Sequence, residues 1–368
     1  MNNTCRIALY YTLTIGDPFQ HPFSATNVII GPINTNSSHL NFIIMLLPHT
    51  PPSIHRSRPF LLFEILLVII MSRFITNANA AADQQHDSPS KNNIPLHISS
   101  KETADTTWSY YEGGTGKTVL LVHGFSSNKE LWFAVGQKLS KRFHVIIPDL
   151  PGWGASTRMP GANYNIDHQA ARLHEFLVAL NLKDVTLVGH SMGGAITGVY
   201  AAQYPERLKG LVLISPLGLN IKDNDFMRLL KEGINPFIYS DRAGIERMAK
   251  LVYLTPPEFS DQQIEHLLIT NKLNHHFIES TLDELRVPSQ WLALEPRIKE
   301  LALPVLGIGC RMDRIIDVLA LKRLEQELIN STHKKTVVLE DCNHLPMIEK
   351  SADTVRLLNE FSNNPTGA

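Results

Sequence analysis

Residues 189–193 have the sequence Gly-His-Ser-Met-Gly, a G-x-S-x-G pattern that places Ser191 where it could act as a nucleophile. The pattern directly follows the apolar stretch Val185–Val188, which is typical of a buried strand, and directly precedes a segment with helical spacing. A serine on a sharp strand-to-helix turn needs neighbours without bulk, and Gly189 and Gly193 meet that need. The start of the helix also favours negative charge that develops nearby. An ordinary glycine-rich turn is the alternative interpretation.

A serine nucleophile needs a base, and the base needs a group that orients it. His344 is the candidate base because it follows the last predicted strand, where such a sheet gathers its site. The acid is expected between the serine and the histidine in chain order. Asp313 lies five residues beyond the apolar strand Val305–Ile308 and is the preferred candidate. Asp317 is its rival, but it immediately precedes a helix, where an aspartate commonly caps backbone N–H groups.

An oxyanion hole requires two backbone N–H groups near the nucleophile. The sequence places Gly124 and Phe125 directly after the predicted strand Thr118–Val122. In this arrangement the N–H groups of Phe125 and Met192 are the predicted oxyanion donors. The preceding His123 and the later Asp149 are interpreted as structural residues.

The elements that position these residues alternate between strand and helix patterns after residue 105. Continuous apolar runs are typical of strands that are buried on both faces of a parallel sheet. We therefore predict an α/β fold with a mostly parallel central sheet and helices on both faces. The predicted strands are Trp108–Tyr111, Thr118–Val122, Val145–Ile147, Val185–Val188, Leu211–Ile214, Val305–Ile308 and Thr336–Leu339. The predicted helices are Leu131–Leu139, Ala170–Leu180, Ala195–Tyr204 and Val318–Ile329.

Residues 217–300 interrupt this alternation because they contain helical patterns and no strand pattern. We interpret them as an inserted helical cap between two parts of the core, residues 106–216 and 301–368. The predicted cap helices contain Phe226–Leu230, Ile245–Leu254 and Ile264–Leu268. Most apolar side chains of the cap are expected to form its own core, and some to line an acyl pocket, which must be apolar.

The N-terminal segment differs from the rest of the chain. Residues 1–57 show no sustained period of either helix or strand, which predicts a disordered segment or an extension from a misplaced start codon. Residues 81–105 are polar and predict a linker.

Residues 58–80 contain the apolar run Phe60–Met71 after a basic flank and end in small residues. These are the parts of a secretory signal peptide, with cleavage expected after Ala80. The run is shorter than the about 20 residues of a membrane-spanning helix. An uncleaved membrane anchor and a buried helix are the alternatives. We therefore expect an exported protein, periplasmic or secreted, or one anchored to a membrane through this segment.

Composition excludes several classes of protein. The 368 residues carry 34 basic and 35 acidic side chains, so a net charge of -1 gives no electrostatic reason to expect a nucleic-acid partner. Three cysteines rule out a disulfide-dense scaffold and a four-cysteine zinc site. No metal or other cofactor is expected. Cys310 and Cys342 follow the ends of neighbouring predicted strands, so either a disulfide or two free buried thiols fits the sequence.

Residues 106–362 resemble the α/β-hydrolase superfamily. The matching stretches are His123–Lys129 with Trp132, Pro148–Gly154, Gly189–Gly194, Tyr204–Arg207 and Asp313–Asp317. They are most similar to the branch that contains Moraxella-type bacterial lipases and the mammalian membrane-associated monoacylglycerol lipase. Two positions depart from the family pattern. Gly309-Cys310 stands where Trp-Gly is usual, and Asn343 replaces the usual glycine before the histidine.

The resemblance implies a role for each candidate residue. It implies Ser191 as nucleophile, Asp313 as acid, His344 as base, and the Phe125 and Met192 amides as oxyanion donors. The implied activity is a serine carboxylic-ester hydrolase acting on acylglycerols or related lipids, with a lipid or small ester as substrate and contact with a membrane surface. A carbon–carbon bond hydrolase of aromatic degradation and a non-catalytic binding member of the fold are the competing hypotheses.

Overall fold

The structure is a computed structural model that describes residues 29–32, 42–45, 96–220 and 223–367. The chain divides into two compact units, Met1–Asp87 and Ser88–Ala368. In the first unit, Ile29–Pro32 and Phe42–Met45 pair as antiparallel strands. The prediction of disorder in 1–57 is therefore wrong for these stretches, because four-residue strands are too short to show a period. The predicted signal peptide or anchor at 58–80 lies outside the described residues.

The second unit contains an eight-stranded sheet. Its strands are β1 (His97–Glu102), β2 (Thr107–Gly113), β3 (Thr118–Val122), β4 (His144–Pro148), β5 (Val185–His190), β6 (Leu208–Ile214), β7 (Val305–Cys310) and β8 (Lys334–Leu339). The order across the sheet is β8-β7-β6-β5-β3-β4-β2-β1. The strands from β3 to β8 pair in parallel, whereas β2 is antiparallel to both β1 and β4. The predicted mostly parallel α/β sheet is confirmed.

From β3 onward, helices alternate with the strands outside the segment between β6 and β7, whereas no helix separates β1, β2 and β3. The helices are α1 (Phe133–Leu139), α2 (Ile166–Ala179), α3 (Met192–Gln203), α4 (Asp225–Lys231), α5 (Arg242–Val252), α6 (Asp261–Arg286), α7 (Pro288–Trp291), α8 (Leu319–Glu327), α9 (Pro346–Glu349) and α10 (Ser351–Asn363). Short 3₁₀ helices occupy Lys129–Trp132, Pro205–Arg207 and Glu295–Glu300.

Both faces of the sheet are covered by apolar side chains. On β3, Leu120 belongs to one apolar cluster, which includes Phe176 of α2. Its neighbours Val119 and Leu121 belong to a second cluster, which includes Trp132. Because successive side chains of a strand point to opposite faces, the buried positions of β3, Val119–Val122, must all be apolar. This explains the continuous apolar runs in the sequence.

The prediction that residues 81–105 form a linker is wrong for the C-terminal part of this stretch. His97–Glu102 forms β1 at the edge of the sheet, and most of its side chains are exposed or half-buried. An exposed edge strand does not need apolar side chains, so it leaves no alternating pattern in the sequence. Residues 81–95 lie outside the described part of the chain.

Between β6 and β7 the described residues form helices and no strand. The predicted stretches Phe226–Leu230 and Ile264–Leu268 lie within α4 and α6, whereas the predicted stretch Ile245–Leu254 runs two residues beyond the end of α5 at Val252. We call residues 217–300 the cap segment. None of the helices in the described ranges has both the length and the hydropathy to cross a membrane.

Candidate active site

Ser191 lies in the turn between β5 and α3 with a strained backbone. Its φ is 54° and its ψ is -120°, a conformation that L-residues rarely adopt and that must be imposed by the surroundings. The surroundings hold it through backbone bonds on both sides. The Ser191 N–H donates to the Ile214 carbonyl at 3.0 Å, and the Leu217 N–H donates to the Ser191 carbonyl at 3.0 Å. The sequence-predicted strand-to-helix turn around Ser191 is therefore present.

The two glycines of the motif are required by close backbone contacts. A Cβ atom on Gly189 would lie 2.2 Å from Thr197 Oγ1 and 2.3 Å from the Gly193 carbonyl oxygen. A Cβ atom on Gly193 would lie 2.3 Å from the His123 carbonyl oxygen. Real Cβ atoms do not approach other atoms so closely, so any larger residue would push the turn open. The prediction that these positions exclude bulk is confirmed.

The side chain of His344 is held by Asp313. His344 Nδ1 lies 3.0 and 3.1 Å from the two carboxylate oxygens of Asp313, and both side chains are buried. Asp313 Oδ1 also accepts the N–H groups of Ile315 and Ile316, each at 2.9 Å. Because Asp313 occupies Nδ1, Nε2 is the ring nitrogen that remains to accept a proton.

The Asp313 carboxyl is stabilised in its charged form. Burial alone would raise its pKa, but the charge and hydrogen bond of His344, together with bonds such as that from the Ile316 N–H, outweigh burial and lower the pKa. Its rival Asp317 lies elsewhere and accepts the Leu319 N–H at 2.8 Å, at the start of α8. The structure therefore places Asp313, and not Asp317, against the histidine.

Phe125 and Met192 line the same cavity as Ser191 and His344. The loop after β3 passes directly beside the serine, since a Cβ atom on Gly124 would lie 3.0 Å from Ser191 Cβ. The sequence-predicted oxyanion residues are thus on the same wall of the cavity as the serine.

The His123 ring orients this loop. Its Nε2 accepts the Leu150 N–H at 3.0 Å, so Nδ1 carries the proton and donates to the Gly124 carbonyl at 2.8 Å. That carbonyl belongs to the same planar peptide unit as the Phe125 N–H, so the bond fixes the direction of both. Burial lowers the pKa of His123, which keeps the ring neutral. His123 therefore has no ring nitrogen left to act as a base, as expected for a structural residue.

Asp149 is also structural. It is completely buried and forms a salt bridge to Lys129, with Nζ and Oδ2 2.7 Å apart. Its carboxylate also accepts the N–H groups of Lys129 at 2.7 Å and Ala155 at 2.8 Å. These bonds join the loops after β3 and β4 next to the oxyanion wall.

His190 lies near the site, and its contact with His344 was not predicted from the sequence. Its buried ring donates from Nε2 to the His344 carbonyl at 2.8 Å, and the two rings lie 4.6 Å apart. Burial, with the nearby charge of His344, lowers its pKa to about 3, so the ring is neutral at physiological pH. The only sequence signal was its position between Gly189 and Ser191 at the end of a fully buried strand.

Cys310 and Cys342 form a disulfide with a sulfur–sulfur distance of 2.04 Å and a Cα separation of 5.3 Å. The sequence left a disulfide and two free thiols open, and the structure contains the disulfide. It joins the end of β7 to the loop after β8, the two segments that lead to Asp313 and His344.

The cavity has a volume of about 250 Å³ and is mostly apolar. The cap segment supplies much of its wall, through Leu217, Phe226, Phe237, Tyr239, Met248, Val252, Tyr253, Phe259, Leu267, Leu282, Leu285 and Trp291. Within the described ranges, no group of three or more His, Cys, Asp or Glu side chains is placed to hold a metal ion. A mostly apolar cavity with a few polar groups suits a ligand with a long apolar part.

Comparison with known proteins agrees with this architecture. Residues 117–351 match the family described as alpha/beta hydrolase fold. The human protein named monoacylglycerol lipase ABHD6 is 31% identical over 265 residues, which cover 67% of this chain and 76% of that protein. Lipase 3 of Moraxella sp. (strain TA144) is 31% identical over 249 residues, covering 65% of this chain and 75% of that protein.

A solved structure of a putative lipase from Acinetobacter baumannii AYE superimposes with a TM-score of 0.66 and 27% identity. The match covers 73% of this chain and 92% of that chain. The family match spans more than half of the residues and includes Ser191, Asp313 and His344. The chain therefore belongs to the α/β-hydrolase family, in agreement with the resemblance of its motifs.

Proposed function

We propose that this protein is a serine carboxylic-ester hydrolase that acts on acylglycerol-like lipids or small esters. In this proposal Ser191 is the nucleophile, His344 the general base and Asp313 the acid that orients it. One observation carries the proposal above all. His344 Nδ1 is held by both oxygens of an ionised Asp313, and the same cavity contains a serine in a strained turn. This combination of nucleophile, base and orienting carboxylate supports acyl transfer.

The reaction proceeds through an acyl-enzyme. Ser191 Oγ attacks the ester carbonyl carbon while His344 Nε2 takes the hydroxyl proton. The N–H groups of Phe125 and Met192 stabilise the oxyanion, and Asp313 stabilises the imidazolium. His344 then gives the proton to the departing alcohol. Water then attacks the acyl-enzyme with His344 again as base. The bond from the acyl carbon to Ser191 Oγ breaks, His344 returns its proton to Ser191 Oγ, and the carboxylic acid is released.

The cavity supports the choice of substrate. The apolar side chains of the cap segment can cover an acyl chain, and burial of apolar area favours binding by about 25 cal/mol per Å². The relatives named as lipases are consistent with a fatty-acid ester. We therefore assign the acyl part of the substrate to this apolar cavity, with its carbonyl carbon at Ser191.

The disulfide supports export from the cytoplasm. Disulfides persist in oxidising compartments and are rare in the cytosol. The Cys310–Cys342 bond is therefore consistent with a secreted, periplasmic or membrane-anchored protein. Residues 58–80 would supply the signal or the anchor. N-terminal sequencing of the mature protein tests this, with a first residue of Ala81 expected for a cleaved signal.

A series of nitrophenyl esters with increasing acyl length tests the activity on the purified full chain. We expect hydrolysis by the wild type and a loss of more than about 100-fold in Ser191→Ala, since losing a triad nucleophile typically costs far more than that. The matched control is Ser331→Ala. The Ser331 hydroxyl hydrogen-bonds to the Leu303 and His333 carbonyls. These carbonyls lie just before β7 and β8, at the amino ends of the parallel strands, whereas Ser191 follows the carboxyl end of β5. Residual activity of Ser191→Ala near the wild-type rate would contradict the assignment.

A further inference from the structure

The C-terminal end of cap helix α5 faces the loops that carry Asp313 and His344. The last four carbonyl groups of an α-helix have no partner within the helix. In α5, three consecutive carbonyls near this end are bonded by residues from these two loops. The Lys250 carbonyl accepts Arg314 Nη1. The Leu251 carbonyl accepts Asn343 Nδ2 at 3.0 Å, and the Val252 carbonyl accepts the His344 N–H at 3.1 Å.

The three donors are adjacent to the reacting groups or belong to them. Arg314 directly follows Asp313, and Asn343 directly precedes His344. The fixed end of α5 thus supports the acid loop and the base loop together. A movement of this helix end would have to break these bonds or displace both loops.

Asn343 makes the most connections in this group. Its Oδ1 accepts the Arg314 N–H at 2.9 Å, while its Nδ2 donates to Leu251. Its own N–H donates to Glu349 Oε2 at 2.8 Å, and the other oxygen of Glu349 accepts the Leu254 N–H at 2.7 Å. The residue is completely buried. One side chain therefore joins the acid loop, the base loop and the cap.

This position departs from the family pattern, in which glycine is usual before the histidine. A glycine has no side chain to make either of the two amide bonds. The φ of Asn343 is not in the left-handed region, which would favour glycine. The side chain, rather than a backbone requirement, thus distinguishes asparagine from glycine here.

We propose that Asn343 is a positioning residue that holds Asp313 and His344 in register by fastening both loops to the C-terminus of α5. The cap segment then has two parts with different roles. The end of α5 belongs to the frame of the catalytic groups, and the remaining walls select the substrate. This inference rests on the proposed function, because it assigns Asn343 an effect on the rate of the same reaction.

The test compares Asn343→Ala with the wild type in the full chain. A fluorophosphonate that labels Ser191 counts the competent sites, and nitrophenyl ester hydrolysis is then expressed per labelled site. We expect kcat per site to fall about tenfold or more, since small misplacements of catalytic groups cost up to about 100-fold. KM should change less than about twofold, because Asn343 does not line the cavity.

Asn271→Ala is the matched control. Asn271 is also a buried asparagine with the same pair of backbone bonds, from the Tyr239 N–H at 3.0 Å and to the Phe237 carbonyl at 2.7 Å. It touches neither Asp313 nor His344. We expect a lower Tm in both variants, whereas kcat per labelled site should fall only in Asn343→Ala.

The outcomes distinguish a failure of the inference about Asn343 from a failure of the proposed function. If Asn343→Ala has fewer labelled sites but an unchanged kcat per site, Asn343 is merely structural and the inference is wrong. If Asn343→Ala does not fold, Asn343→Gly restores the residue usual in the family, and the same measurement decides. A wild type that neither reacts with the fluorophosphonate nor hydrolyses esters would instead overturn the proposed function.

Discussion

The core and the cap segment both line one cavity, and they contribute to it through different contacts. On the core side, Ser191 is held by a strained turn, and His344 by Asp313 and His190. These are directional hydrogen bonds and fixed dihedral angles. On the cap side, most of the lining consists of aromatic and aliphatic side chains. Phe237, for example, meets Phe125 as an edge-to-face pair with ring centres 5.4 Å apart.

This difference has a functional meaning. Hydrogen bonds weaken steeply when their geometry is distorted, so the core side keeps reacting atoms in place. Apolar contacts are non-directional and scale with buried area, so the cap side can accept ligands of varied shape. We therefore expect changes on the core side to alter kcat or pH-dependent stability, and changes on the cap side to alter substrate preference.

The largest effect is expected for Asp313→Asn. An amide at this position would favour the wrong tautomer of His344, and kcat should fall by roughly 10⁴-fold with the fold retained. Steady-state kinetics and circular dichroism check both parts. Asp317→Asn is the matched control and should keep most of kcat. Nearly normal activity in Asp313→Asn, with Asp317→Asn inactive, would mean that the acid is misassigned.

His190→Asn tests the core side through the pH dependence of the free energy of unfolding. Burial, with a contribution from the charge of His344, lowers the pKa of the native His190 ring to about 3. A histidine in the unfolded chain has a pKa of about 6.5. Below pH 6.5 the unfolded chain thus binds a proton that the native state excludes, so stability falls as the pH falls. Between pH 6.5 and 4.5 this contribution amounts to about 2 kcal/mol.

Urea unfolding of both proteins at these two pH values measures the effect. The free energy of unfolding of the wild type should drop by about 2 kcal/mol more than that of His190→Asn. His123 and all other groups are common to both proteins, so the difference isolates His190. Equal losses in the two proteins would show that His190 is not held neutral by its burial.

Phe237→Ala tests the cap side. Its ring lines the cavity between Phe125 and Phe226, so its loss should lower kcat/KM for a long-chain nitrophenyl ester about 10- to 100-fold. The acetyl ester, which has no long chain to bury, should change less than about threefold. Phe133→Ala is the control, since that ring packs on Tyr111 and does not line the cavity. An equal loss for both esters would remove the distinction between the two walls.

The smallest effect is expected for Asp317→Ala. Asp317 accepts the Leu319 N–H at the start of α8, so its removal should cost about 1 kcal/mol of stability. Thermal unfolding measures the loss, and kcat should remain close to the wild-type value. A large loss of kcat with unchanged stability would instead place this carboxylate among the reacting groups.

Much of the fold was predictable because the buried parallel strands leave clear patterns. Strands covered on both faces carry apolar side chains at consecutive positions, as in Val119–Val122 of β3 and Leu187–Val188 of β5. The edge strand β1 was missed because most of its side chains are exposed and resemble a polar linker. The helices of the cap segment were predicted from their spacing, and some of their side chains were expected to line an acyl pocket, but only the structure decided which side chains do so.

The sequence by itself determined the candidate nucleophile, base and acid. Glycines flank Ser191, and the ends of apolar strands identify the loops of Asp313 and His344, so local patterns were sufficient. Only the tertiary structure decided that Cys310 and Cys342 are bonded, and that Asn343 and His190 hold the base loop. These contacts join residues 32, 92 and 154 positions apart in the chain. Local sequence patterns carry no record of such pairs, because the partners meet only when the sheet and the cap have assembled.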